Sequence, residues 1–199
     1  TCPEVMIGGT NMNIEITEKY KASLIPFPKE TLEPLKLPTE IFEFLTETGL
    51  PLHAGYEITP NASLTFLDMP YIKKHAHLQN TFLDIASMDM MGELTIDMKT
   101  QEVYQIQKGR ADSWGNSVEI PVFANDSIGQ FIDCLGIWLS FYQQLRDEVD
   151  KNLAINPKFS LFDHKEMYEP ILNKLKEIDP ESVKWRKYFW RRMCEPDIL

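Results

Sequence analysis

The sequence predicts an α+β protein: a central, mostly antiparallel sheet with short helices before it and a long helical segment after it. Two periodicities carry this reading. Residues 81–107 alternate apolar and polar side chains with the period of a strand, and residues 128–149 repeat apolar side chains every 3.6 residues. No self-similarity recurs at 20–50 residues, which excludes a solenoid or a propeller.

The elements follow in chain order. Thr10 or Asn11 is placed to cap a short helix over 10–21 whose apolar face is Ile14, Ile16 and Tyr20. Pro26, Pro28, Pro34 and Pro38 punctuate an irregular segment, since each removes a backbone donor and biases its predecessor towards extended geometry. Pro38 also suits a first helical turn. Ile41, Phe42 and Leu45 follow at helical spacing, and Gly49 can take a left-handed cap before Leu50-Pro51.

From residue 52 the runs shorten to strand length. Thr81–Ser87 places Leu83 and Ile85 on one face and Phe82, Asp84 and Ala86 on the other. Beyond the turn at Gly92, Leu94, Ile96 and Met98 alternate with Thr95 and Asp97, and Lys99-Thr100-Gln101 leads into Val103–Ile106, so 81–107 reads as a meander. A looser stretch with Gly109, Trp114 and Gly115 precedes Val118–Phe123, a strand that Pro121 confines to a sheet edge.

Ser127 and Gln130 have capping-box spacing, and nine apolar residues from Ile128 to Val149 then line one helical face. Asn156-Pro157 ends that run. One shorter helix reaches Ile178 with Pro170 in its first turn, and another starts at Asp179-Pro180. The 199 residues thus read as one domain, with a core over about 20–153 and a helical segment over about 163–193 docked on it.

Composition narrows the function. Hydrophobic residues at 43% supply a core, while 30 acidic against 20 basic residues leave a net charge of -10. A general nucleic-acid binder needs the opposite sign. Cys2, Cys134 and Cys194 are too scattered for a disulfide scaffold and contain no C-x-x-C pair. The apolar run Cys134–Leu145 is too short to span a bilayer, and no signal-peptide pattern opens the chain, so a cytoplasmic location without membrane contact is expected.

Chemistry-bearing motifs are sparse. His75-Ala76-His77 would put two imidazoles on one strand face, but nothing at a characteristic spacing supports a metal, and neither metal nor cofactor is expected. No nucleophile elbow or phosphate loop occurs. Asp84, Asp89 and Asp97 are carboxylates of the meander, with Asp84 and Asp97 able to face each other across neighbouring strands. The simpler reading is a solvated sheet face. Residues 184–192 interleave five basic side chains with four aromatic ones; Trp185, Tyr188 and Phe189 share one helical face, which reads as a docking helix.

Taken together, these segments resemble a known family. Leu24-Ile25-Pro26-Phe27-Pro28, Leu35-Lys36-Leu37-Pro38 and Phe44–Pro51 are similar to the opening of bacterial SUKH-superfamily proteins, especially the fourth immunity family. Gly92–Asp97 with Val103-Tyr104 resembles the family hairpin, although Gln101-Glu102 stands where glycine is usual. Ala124–Leu135 resembles its helix start, and Ile178-Asp179-Pro180 followed by Trp185 and Trp190 its closing segment.

The resemblance implies an α+β domain with a sheet as binding face, acting without catalysis as the immunity partner of a protein toxin such as a nuclease or deaminase. A basic toxin would suit the acidity. The expected partner surface is Asp84, Thr95, Asp97 and Gln105 of the sheet, with Trp114 from the loop. Two alternatives stand beside it: a regulatory scaffold of the same superfamily, and a hydrolase using Asp and His residues of the sheet region. The oligomeric state is left open.

Overall fold

The computed structural model describes residues 12–52, 55–75, 78–89, 91–111 and 117–195, the side chains of 110, 111, 117 and 162 excepted. Six strands pair antiparallel in chain order: β3 (Tyr56–Thr59), β4 (Ala62–Lys74), β5 (Thr81–Met88), β6 (Gly92–Asp97), β7 (Val103–Ala111) and β8 (Ser117–Asn125). The meander is therefore as expected, and β8 lies at an edge as Pro121 requires. Ahead of this sheet, β1 (Leu24–Ile25) and β2 (Leu50–Pro51) form a two-stranded ribbon.

Short helices brace the ribbon: α1 (Glu18–Lys21), α2 (Lys29–Leu32) and α3 (Thr39–Glu47). Gly49 adopts φ +82°, and a Cβ there would stand 1.9 Å from the Ile25 carbonyl oxygen. Only glycine lets α3 end and β2 return against β1 at that distance.

The long helix is α4 (Ile128–Ile155). Ser127 caps it, its Oγ accepting the Gln130 N–H at 3.3 Å. Phe131, Leu135, Trp138, Phe141 and Leu145 are buried at helical spacing against Leu83, Ile85, Leu94, Ile96, Val103 and Val122 of the sheet. Trp138 Nε1 donates to the Ile58 carbonyl at 2.9 Å, which locks α4 onto β3. Each buried aromatic or leucine here is worth about 1.5–3 kcal/mol of transfer free energy.

Downstream, α5 (Glu169–Ile178) packs on α4, and α6 (Phe189–Met193) closes the described chain. Between them Asp179, Asn125 and Trp190 form a buried network. Trp190 Nε1 donates to Asn125 Oδ1 at 2.7 Å, and Asn125 Nδ2 donates to Asp179 Oδ2 at 2.8 Å. Asp179 also accepts the N–H groups of Asp126, Glu181 and Ser182, so its carboxylate is fully used.

Four local expectations are corrected. The helix expected over 10–21 is confined to α1, capped by Thr17, because Asn13 spends its backbone N–H and carbonyl on the Gln144 side chain of α4; residues 10 and 11 lie outside the described set. Residues 184–192 are not one helix. Tyr188 is extended at φ -78° and ψ 153°, which breaks the phase, so Phe189, Trp190 and Met193 are buried while Trp185 is 54% exposed.

Asp84 does not sit opposite Asp97. Thr95 is the partner of Asp84, and Phe82 that of Asp97. Finally, a bulge between Asp84 and Ala86 returns Ala86 to the helix-facing core, away from the Phe82–Asp84 face.

Candidate functional site

Strand alternation places Tyr71 and Lys73 of β4, Phe82 and Asp84 of β5, Glu93, Thr95 and Asp97 of β6, Tyr104 of β7, and Glu119 and Phe123 of β8 on the face away from α4. In a flat sheet β4 and β8 would lie about 19 Å apart, four strand spacings. Yet His75, the residue after β4, holds its Nδ1 3.1 Å from Oε1 of Glu119. The sheet is curled, and this face is the inside of the curl.

Aromatic rings line that interior. His75 meets Phe82 edge-on at 5.4 Å between centroids, Phe82 meets Tyr104 at 6.4 Å, Tyr104 meets Phe123 at 5.8 Å, and Tyr188 closes the row on Phe123 at 4.8 Å. The solvated face expected from the alternation is thus a second, smaller core.

A charged cluster sits within it. His75 Nε2 stands 3.4 Å from Asp84 Oδ1, outside hydrogen-bond geometry, and the two side chains are 0% and 1% exposed. Lys73 Nζ contacts both Glu93 oxygens, at 2.7 and 2.6 Å, and lies 3.6 Å from Asp84 Oδ2. Glu93 itself is half-buried and comes within 3.9 Å of His75 Nδ1.

Among the described residues, neither Asp84 oxygen has a hydrogen-bond partner. A buried carboxylate in that state costs roughly several kcal/mol of desolvation with little return. Burial, then the nearby Glu93 carboxylate, pushes the Asp84 carboxyl above the ordinary range, against the pull of Lys73 and His75. Burial pulls the Lys73 ammonium the other way, but Glu93 and Asp84 outweigh it and the net shift is upward.

The chemistry of His75 follows from its partners. In the tautomer that donates Nδ1–H to Glu119 Oε1, the Nε2 lone pair faces Asp84 Oδ1 in a dry site. His75, Asp84 and Glu93 offer one ligand atom each, all within 4.8 Å of one another.

The sequence-selected residues are placed differently from one another. Asp84 belongs to this cluster. Asp97 organises the β6–β7 turn: Oδ1 accepts the N–H groups of Lys99 and Thr100, and Oδ2 accepts from Asn80 Nδ2. Thr95 is buried beside Asp84 and donates to the Tyr104 carbonyl at 3.4 Å.

Gln105 pairs with Leu94 and Val122 on the opposite, helix-facing side, where its Nε2 donates to the Met91 carbonyl. Trp114 lies outside the described residues, as does His77. Sequence reading missed Lys73, Glu93 and Glu119. Period-two counting from Asp84 across β5–β6 reaches Glu93, but no local signal brings Glu119 to His75.

Met69, Tyr71 and Ile72 of β4 are all more than a third exposed. Met69 lies within the irregular stretch between Phe66 and Tyr71, Tyr71 shares the face of Asp84, and Ile72 pairs with Leu83 on the other face.

A curled antiparallel sheet backed by one long helix, closed over a polar interior, defines an α+β protein of immunity type once the family is known. A family model described as SUKH-4 immunity protein matches residues 17–196, and the chain belongs to that family. The family's role is immunity against a toxin. No curated protein and no solved structure matches the chain.

Proposed function

We propose that this protein neutralises a cognate protein toxin by binding it directly, one to one and without turnover. The observation that carries the reading is the SUKH-4 match over nearly the whole chain. Charge supports a basic partner. Setting aside the five positive charges of residues 184–192, the net -10 becomes -15 for the remainder. A nuclease or nucleic-acid deaminase presents a basic cleft, and an acidic partner gains association rate towards it by steering.

The toxin-facing side is the outer mouth of the curl. Asp84, Thr95 and Asp97 form its floor and Gln105 braces it from behind, while Tyr71 and the neighbouring Met69 make the direct contact. Methionine and tyrosine are enriched in interface cores. Burial of His75 Nε2 and Asp84 speaks against the hydrolase alternative, since a general acid or base has to reach its substrate within a hydrogen bond. We place the action in the cytoplasm, where the buried thiols of Cys134 and Cys194 stay reduced.

The test is co-expression with the toxin encoded beside this gene, followed by calorimetry of the purified pair. Rescue with one-to-one binding that weakens at least tenfold between low and moderate salt is expected. Protection at strongly substoichiometric amounts would show turnover and sink the reading. Tyr71→Ala combined with Met69→Asp should abolish rescue while leaving the thermal midpoint in place; full rescue by that double variant would move the surface elsewhere.

A further inference from the structure

We infer that His75, Asp84 and Glu93 form a binding site for a divalent transition cation of the zinc class, set inside the curled sheet. Three independent observations carry it. First, among the described residues His75 Nε2 and both oxygens of Asp84 are buried side-chain atoms without a hydrogen-bond partner, and Nε2 and Oδ1 stand 3.4 Å apart. Two donors that each stand at tetrahedral zinc bonding distance from one ion are themselves about 3.4 Å apart. An ion between them satisfies both without rearranging either strand.

Second, a carboxylate stands at the other ring nitrogen of His75. A metal-ligating imidazole characteristically donates its other N–H to a carboxylate, which orients the ring and raises its basicity. Glu119 on β8 supplies that carboxylate at 3.1 Å. Third, a cavity of about 280 Å³ lies beside the cluster, lined by Glu93 and Glu119 with Ser87 and Lys108 on its wall. Glu93 is 30% exposed on its side chain and bound to Lys73, so it swings onto the ion by exchanging one cation for another.

One imidazole nitrogen with two carboxylate oxygens suits zinc-class ions, whereas magnesium keeps its water and avoids nitrogen. The bound ion ties the end of β4 to β5 and β6, and through Glu119 to β8, so it clips the curl shut. This inference stands apart from the toxin reading, because the binding is measured without any partner.

The experiment uses the full chain, stripped with a chelator and dialysed. Zn²⁺ and Co²⁺ are titrated by calorimetry and absorption, with Mg²⁺ as the control ion. One equivalent of Zn²⁺ is expected, with a rise in thermal midpoint of about 5–10 °C at a hundredfold excess over Kd and none with Mg²⁺. Glu119→Gln should weaken binding roughly 10–100-fold, and Glu93→Gln and Asp84→Asn by at least as much.

Asp84→Asn should also melt higher than wild type when both are metal-free, because it removes an unsatisfied buried charge; a purely structural aspartate would melt lower. Should that variant fail to fold, Glu93→Gln, at a half-exposed position, carries the comparison. Absence of binding to wild type, unchanged affinity in the Glu93 variant, or a thiolate charge-transfer band with Co²⁺ would each overturn the site.

Discussion

His75 Nδ1 and Glu119 Oε1 are 3.1 Å apart although 44 residues and four strand spacings separate them. That hydrogen bond is the closure of the curl. It joins the end of β4 to the edge strand β8 and seals Phe82, Asp84, Thr95 and Asp97 from solvent. Closure of this kind also removes one flank of an exposed edge strand from contact with other chains.

The closure is testable by a pair of substitutions. Glu119→Ala leaves the buried His75 N–H without an acceptor and should cost about 1–3 kcal/mol in denaturant unfolding. Glu119→Gln keeps an acceptor oxygen at the same reach and should cost only a fraction of that. Equal losses for the two would mean that the contact is not a hydrogen bond of any consequence.

Asp179 gives a larger effect. Asp179→Ala strands the Asn125 amide and the N–H groups of Asp126, Glu181 and Ser182 in or near the core. A loss of about 3–5 kcal/mol is expected, seen as a fall in the urea midpoint at unchanged slope. A loss below about 1 kcal/mol would show that the segment after α5 is not anchored through this network.

Gln101 points the opposite way. It holds φ +65° in the β6–β7 turn, and its side-chain oxygen is buried without a partner among the described residues. Gln101→Gly relieves both costs and should stabilise the protein by about 0.5–1 kcal/mol, read as a higher thermal midpoint. Any destabilisation would reveal a contact for this side chain that offsets its strain.

Tyrosine ionisation fixes an alkaline limit. Burial pushes the phenols of Tyr142 and Tyr168 up to about 12, with Glu57 adding to the shift of Tyr142. Unfolded tyrosine ionises near 10. The fold therefore favours the neutral phenols, and their contribution, complete below about pH 10, is lost as pH rises towards 12. Burial raises Tyr20 and Tyr104 as well, so phenolate absorbance should show a late wave that includes these four of the seven tyrosines, together with loss of near-UV dichroism. A single ordinary wave from all seven would contradict their burial.

Much of this architecture is legible in the chain. The Ser127 cap, the α4 stripe, the Gly49 turn and the edge placement enforced by Pro121 each depend on residues a few positions apart, and each forms as read. The errors lie where a distant group competes for a local one. Gln144 takes the backbone bonds that residues near Asn13 would have given a helix, and the extended Tyr188 turns Trp185 outward.

The candidate site divides the same way. Asp84 stands out as a carboxylate in an alternating strand, and His75 as half of a histidine pair. Their significance is absent from that local pattern, because the partners of His75 among the described residues are Asp84, Glu93 and Glu119 from three other strands. Asp97 and Thr95 look like surface residues for the same reason: alternation tells which side chains share a face, not whether that face is wet.

The acidity, the absence of catalytic motifs and the order of strands and helices belong to the sequence by itself, since composition and short-range periodicity need no fold to be read. The curl belongs to the tertiary structure alone. It is the sum of small twists over successive strand pairs, so no single segment encodes it, yet it decides which face is interior and which charged groups meet there.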